Sequence, residues 1–167
     1  TPIVDVRSPK EYQLAHIPGA INIPLFNDAE RAMVGTTYKH EGREKAITQG
    51  LELVGPKMAE FVAEGKRILQ EHQAAYITMH CWRGGMRSKS MATLFNFAGI
   101  PTLTITGGYK VYRNAVQQSF ANPLHLIVLG GKTGSAKTAI LQALQQQGEQ
   151  IIDLEKLANH KGSAFGQ

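Results

Sequence analysis

A single cysteine among 167 residues excludes an internal disulfide. That suits a reducing compartment, and a cytoplasmic protein is the expectation. No stretch approaches the roughly eighteen consecutive apolar residues that a membrane-spanning helix needs, so no membrane partner is expected. The opening "TPIVDVRS" has neither a basic leader nor a long apolar run, so it is not a signal peptide. It reads as a strand already under way, and residues upstream of it are expected. Internal repeats and low-complexity tracts are also missing. Lys and Arg are scattered through residues 39–67 and 83–113 without a long basic run.

What is present is ordinary globular material, with 43% hydrophobic and 19% charged residues, enough for a core. A net charge of +5 favours an anionic partner such as RNA, though a solvated basic surface explains it equally well. Short β-branched runs, "PIVDV" (2–6), "AINI" (20–23), "AYITMH" (75–80), "TLTIT" (102–106), "LHLIVLG" (124–130) and "QIID" (150–153), read as buried, parallel strands. Between them, apolar residues fall at helical spacing: Met58, Phe61, Val62, Ile68 and Leu69; Met91, Leu94, Phe95 and Ala98; Tyr112, Ala115, Val116 and Phe120; Ile140, Leu141 and Leu144. Strands alternating with helices predict an α/β fold, a parallel sheet flanked by crossover helices. Residues 26–56 form a long polar connection of the kind that is functional or hides short helices. Asn122-Pro123 marks a boundary, dividing the chain into domains 1–121 and 122–167.

Two segments carry chemistry. In "MHCWRGGMRSKS" (79–90) a strand delivers Cys81 to a turn, Trp82-Arg83-Gly84-Gly85-Met86-Arg87, and a helix starts near Arg87. Amides of the turn and of the first helical turn lack partners, Gly84 and Gly85 let them curve inward, and Arg83 and Arg87 add positive charge. Such surroundings lower a thiol's pKa and favour a nucleophilic thiolate that handles a tetrahedral anion. The plain alternative is a cysteine that merely fills space. For His80 a satisfied strand-end histidine is the expectation, and for Trp82 packing of the loop. The second segment, "GGKTGSAKT" (130–138), follows a strand and precedes a helix. It nearly matches a phosphate-binding P-loop: Gly131, Lys132, Thr133, Gly134, Ser135, Ala136, Lys137 and Thr138. Backbone amides and Lys137 would hold phosphates and Thr138 would offer a hydroxyl to Mg²⁺, although Ala136 stands where a glycine is usual. Asp153 and Glu155 stand at a strand end where a Mg²⁺-linked carboxylate is expected, Asp153 being the first candidate. Only two strands accompany this motif, so an incomplete P-loop domain is expected.

The loop spacing His-Cys-x5-Arg-Ser satisfies that of cysteine phosphatases, but a phosphatase needs a general acid and none is marked. "DVRSPKEYQLAHIPGAINIP" (5–24) and "TGGYKVYR" (106–113) resemble the opening and closing motifs of rhodanese-like domains, which places Cys81 where those domains carry a persulfide. The resemblance implies that Asp5, Arg7 and Glu11 form a charge network tying the first strand to its helix. It also makes His16, Pro18 and Gly19 turn residues. Many rhodaneses have a loop one residue shorter; the wider cradle here favours a phosphorus-centred anion. With "CWRGGMRS", "VGTTYKHEGREKAI", "GGKTGSAKT" and "DLEKLANHKGSAFG" together, the chain resembles the bacterial tRNA 2-selenouridine synthase family.

That resemblance implies a transferase that exchanges sulfur for selenium at the wobble 2-thiouridine of tRNA. The reaction would run through S-geranylation by geranyl diphosphate and then selenation by selenophosphate through a Cys81 perselenide. The implied partners are tRNA and a supplier of selenophosphate. No tightly bound cofactor is implied, and Mg²⁺ is allowed. The P-loop would hold the prenyl diphosphate or a nucleotide. The rival readings are a general sulfurtransferase carrying a Cys81 persulfide and a non-enzymatic phosphoanion-binding module.

Overall fold

A computed structural model describes residues 1–123 and 125–159. The chain folds as two compact units, Thr1–Asn122 and Pro123–Gln167. The first unit opens with β1 (Ile3–Asp5), α1 (Pro9–Leu14) and β2 (Ile21–Asn22), followed by α2 (Asp28–His40) and α3 (Arg43–Val54). A 3-10 turn at Gly55–Lys57 leads into α4 (Met58–Glu71), and then come β3 (Ile77–His80), α5 (Met86–Phe97), β4 (Thr102–Thr104) and α6 (Gly108–Ser119).

The strands form one parallel sheet in the order β2-β1-β3-β4, with Val4 opposite Ile21 and Met79, and Ile77 opposite Thr102. Because β1 and β3 are central, their side chains are covered on both faces: Val4, Ile77 and Met79 are fully buried on one, and Asp5 and His80 on the other. Helices α4 and α5 close over this core through Phe61, Ile68, Met91 and Phe95. Gly65 of α4 allows the close approach, since a Cβ there would sit 2.7 Å from the Phe95 ring. The three helical stripes at 58–69, 91–98 and 112–120 thus fall on α4, α5 and α6.

The polar stretch 26–56 is helical. Asn27 caps α2, its side chain accepting from the Glu30 N–H at 2.8 Å while Glu30 accepts from the Asn27 N–H at 2.9 Å. Gly42, at φ 95°, breaks the chain between α2 and α3. Neither helix announces itself by periodicity, because α2 buries no residue and α3 buries only Ala46 and Gly50.

The second unit contains α7 (Lys137–Gln146) and α8 (Leu154–Leu157). Here the strands expected at 124–130 and 150–153 do not form among the described residues; Leu124 lies outside them, as do residues 160–166 of the "DLEKLANHKGSAFG" motif. A parallel strand exists only through hydrogen bonds to neighbours. The described residues of this unit supply no second strand, and Ile127 and Val128 are 101% and 87% exposed. No helix among the described residues is long and apolar enough to cross a membrane.

Candidate active site

Strand β3 ends at His80, and the loop 81–85 turns directly into α5. The loop is hung from the start of α6: the Tyr109 and Lys110 amides donate to the Cys81 and Trp82 carbonyls, each at 2.9 Å. Backbone meets backbone here. At Gly84 (φ +63°) a Cβ would lie 2.6 Å from the Ile105 carbonyl, and at Gly108 (φ +59°) one would lie 2.3 Å from the Cys81 carbonyl. Gly84 therefore serves the loop's seating against the Gly107-Gly108 turn. Gly85 supplies the inward amide.

The Cys81 side chain is buried, and its sulfur accepts from the Gly85 amide and from the Ser88 hydroxyl, both at 3.3 Å. Burial alone raises a thiol's pKa. It is outweighed by the Ser88 hydroxyl and by the backbone amides of Ser88, Arg83 and Gly85, so the thiol titrates below its ordinary value. The sulfur sits at the N-terminus of the twelve-residue helix α5, where the first amides have no intrahelical partner and bond the sulfur instead. Ser88 is a functional residue that the loop's composition does not announce; its signal is the serine that follows Arg87 in the His-Cys-x5-Arg-Ser spacing.

The two loop arginines differ. Arg83 is exposed and makes no ion pair among the described residues. Arg87, expected to hold the anion, instead donates to Glu11 at 2.6 and 3.2 Å. Burial raises the Glu11 pKa, but Arg87, with help from the Ser8 amide and Arg31, brings it below the usual carboxylate range. The expected network of Asp5, Arg7 and Glu11 is split accordingly. Asp5 and Arg7 form a buried pair at 2.5–2.9 Å, with Arg7 also donating to the Ala15 carbonyl at 2.8 Å. Glu11 reaches across the chain to brace α5. Glu11 lies in the first turn of α1, and its carboxylate meets Arg87 of α5 rather than the buried pair at the end of β1.

His80 is fully buried and only partly satisfied. Its Nδ1 lies 3.4 Å from the Cys81 carbonyl, whereas Nε2 has no hydrogen-bond partner and lies 3.8 Å from Asp5. Burial pushes its pKa down. Trp82 packs against Tyr109, ring centroids 5.6 Å apart, and the Arg7 guanidinium lies 4.1 Å from the Tyr109 centroid. His16 stacks on Tyr12 at 4.0 Å, at the exposed turn before Pro18 and Gly19.

In the second unit, residues Thr133, Gly134, Ser135, Ala136, Lys137 and Thr138 line a cavity of about 210 Å³ together with Glu155. The Lys137 ammonium donates to the Gly131 and Lys132 carbonyls at 3.0 and 2.9 Å. Ala136 takes the left-handed conformation, φ +57°, that a glycine would adopt more readily. Asp153 caps α8, accepting from the Lys156 amide at 3.0 Å, so Glu155 is the carboxylate that faces the cavity. Among the described residues no three His, Cys, Asp or Glu side chains converge as a metal site.

Comparison with known proteins follows this division. Residues 1–115 match the model of the rhodanese-like domain, and residues 124–167 match that of the tRNA 2-selenouridine synthase AAA domain. The chain is 43% identical over 99% of its length to a tRNA 2-selenouridine synthase of Bdellovibrio bacteriovorus, and 39% identical to one of Nitrosomonas europaea. It spans 44% and 43% of those two proteins. Among solved structures it resembles the N-terminal domain of a candidate ATP/GTP binding protein from Clostridium difficile 630, at 39% identity and a TM-score of 0.65, covering 68% of this chain and 87% of that one.

Proposed function

The chain belongs to the rhodanese-like family, in the branch of the proteins named tRNA 2-selenouridine synthase, and from that premise we propose that Cys81 carries selenium for the conversion of wobble 2-thiouridine to 2-selenouridine in tRNA. The observation that carries the reading is the Cys81 sulfur, bonded by the Gly85 amide and the Ser88 hydroxyl at the floor of its loop.

The thiolate attacks the selenium of selenophosphate. An S–Se bond forms and the P–Se bond breaks; its electron pair stays on phosphorus, which takes a proton and leaves as phosphite. The loop amides and Arg83 hold the departing oxyanion, and charge develops where donors are already aimed. Arg87 contributes by fixing α5 through Glu11. A small-molecule thiol from solution then attacks the Cys81 sulfur, forming a mixed disulfide and releasing hydrogen selenide, and a second molecule of that thiol reduces the disulfide and restores Cys81. The selenide displaces the sulfur at C2 of the base, which leaves as a geranyl thiol. Prior S-geranylation by geranyl diphosphate makes that sulfur a better leaving group.

The P-loop holds the diphosphate of the prenyl donor. Lys137 exchanges the Gly131 and Lys132 carbonyls for phosphate oxygens. The Thr138 hydroxyl and the Glu155 carboxylate, which line the same cavity, would hold a divalent cation, and that charge would offset the diphosphate's.

Incubation of the protein with selenophosphate is expected to give a Cys81 peptide bearing the selenium isotope pattern in mass spectrometry, with phosphite as the phosphorus product in ³¹P NMR. Cys81→Ser should show neither. An unmodified Cys81, or one bearing a phosphoryl group, would reject the perselenide.

A further inference from the structure

Between α2, α3 and the first turn of α5 lies a cavity of about 790 Å³, within the range that encloses small-molecule ligands. Nothing in the chemistry of Cys81 uses it. Its wall is apolar, built from Phe26, Val34, Ile47 and Val54, and Leu51 and Met86 stand at it 67% and 49% exposed. Large apolar side chains left open around a concavity mark a surface that receives something apolar. Four basic residues also line it: Lys39 and Arg43, neither of which makes an ion pair among the described residues, and Arg31 and Arg87, both paired with Glu11. Met86 and Arg87 also place the cavity beside the cysteine loop, since Met86 follows Gly85, whose amide bonds the Cys81 sulfur.

We infer that this cavity seats the hydrocarbon chain of a prenylated wobble base while the loop works on the base's C2 atom. The inference rests on the function proposed above and locates one of its substrates. An apolar wall with cationic borders fits a short branched hydrocarbon tethered to a polyanion: the chain enters the cavity, and Lys39 and Arg43 meet the RNA phosphates. A free fatty acid or a second protein would use the wall but leave the neighbouring thiolate idle. The seat also gives a use to the helices between β2 and α4: α2 and α3 bury fully only Ala46 and Gly50, and Val34, Ile47, Leu51 and Val54 line this space.

Gly35 gives a direct test. It lines the cavity within α2, and a Cβ there would meet no atom within 4 Å, so Gly35→Leu fills the space without a clash and favours the helix. Binding to anticodon stem-loop RNAs carrying S-geranyl-2-thiouridine, S-methyl-2-thiouridine or 2-thiouridine is measured by calorimetry, with no selenium donor present. The wild-type protein should prefer the geranyl over the methyl RNA by at least about tenfold, given the hydrocarbon buried. Gly35→Leu and, independently, Leu51→Glu should bring that ratio close to one. Circular dichroism and thermal melting confirm that each variant is folded. Equal affinity of the wild type for the two RNAs overturns the inference, and so does a preference that both folded variants retain. Loading of Cys81 is read with no RNA present, so failure of the selenium chemistry and failure of the chain seat are separate results.

Discussion

Burial and ionisation oppose each other at Cys81, and the hydrogen bonds decide the outcome. A thiol that is 3% exposed would ordinarily be inert, but four donors outweigh the desolvation. Ser88→Ala removes the largest of them, so the inflection in the rate of alkylation by iodoacetamide against pH should move upward from the wild-type position; an unmoved inflection would assign the depression to the loop amides alone. The sign carries over to stability: a depressed thiol stabilises the fold above its unfolded pKa, and that contribution fades as pH falls through the folded value. Asp5 makes a different residue-scale case. It is fully buried against Arg7, and Asp5→Ala would leave the guanidinium uncompensated, costing about 3–5 kcal/mol in urea denaturation. The Asp-x-Arg pattern announces that pair in the sequence. The Glu11–Arg87 bridge is invisible there, because 76 residues separate its ends and only the fold brings them together.

At the scale of elements, the cysteine loop is as much a product of α6 as of its own residues. The Gly107-Gly108 turn has the shape it needs because Gly84 and Gly108 touch each other's backbones. Gly108→Ala would force a Cβ into the Cys81 carbonyl from a left-handed conformation, a combined steric and backbone penalty of roughly 1–3 kcal/mol or more. Thermal melting should register the loss, and selenium loading of Cys81 should fall further than stability does, since the distortion is delivered to the loop itself. The types of β1, β3, α4 and α5 are legible because these elements are buried on defined faces, which writes period and β-branching into their residues. Helices α2 and α3 were not, since a helix that faces a cavity and solvent needs no regular stripe. The runs at 124–130 and 150–153 mislead for the converse reason: their composition suits a strand, but strand formation is a property of neighbours.

Over the whole molecule, the two units differ in what holds them. Thr1–Asn122 is organised around a four-stranded sheet whose central strands are sealed, while α7 of the second unit buries no residue and Leu154 and Leu157 are 73% and 75% exposed. Local stability follows buried apolar contact, so the units should open separately. In native-state hydrogen exchange the amides of β1, β3 and α5 should exchange only by global unfolding of the first unit. Those of α7 should exchange by a much cheaper opening and show little dependence on the stability of the sheet. Geranyl diphosphate should add protection to α7 and the P-loop, because a ligand that binds only the closed loop stabilises it by mass action. Lys137→Ala should abolish that added protection and leave the protection of β1 and β3 as it was. Uniform protection across both units would mean that they open together, and ligand protection that survives the loss of Lys137 would mean that the diphosphate is held elsewhere in the chain.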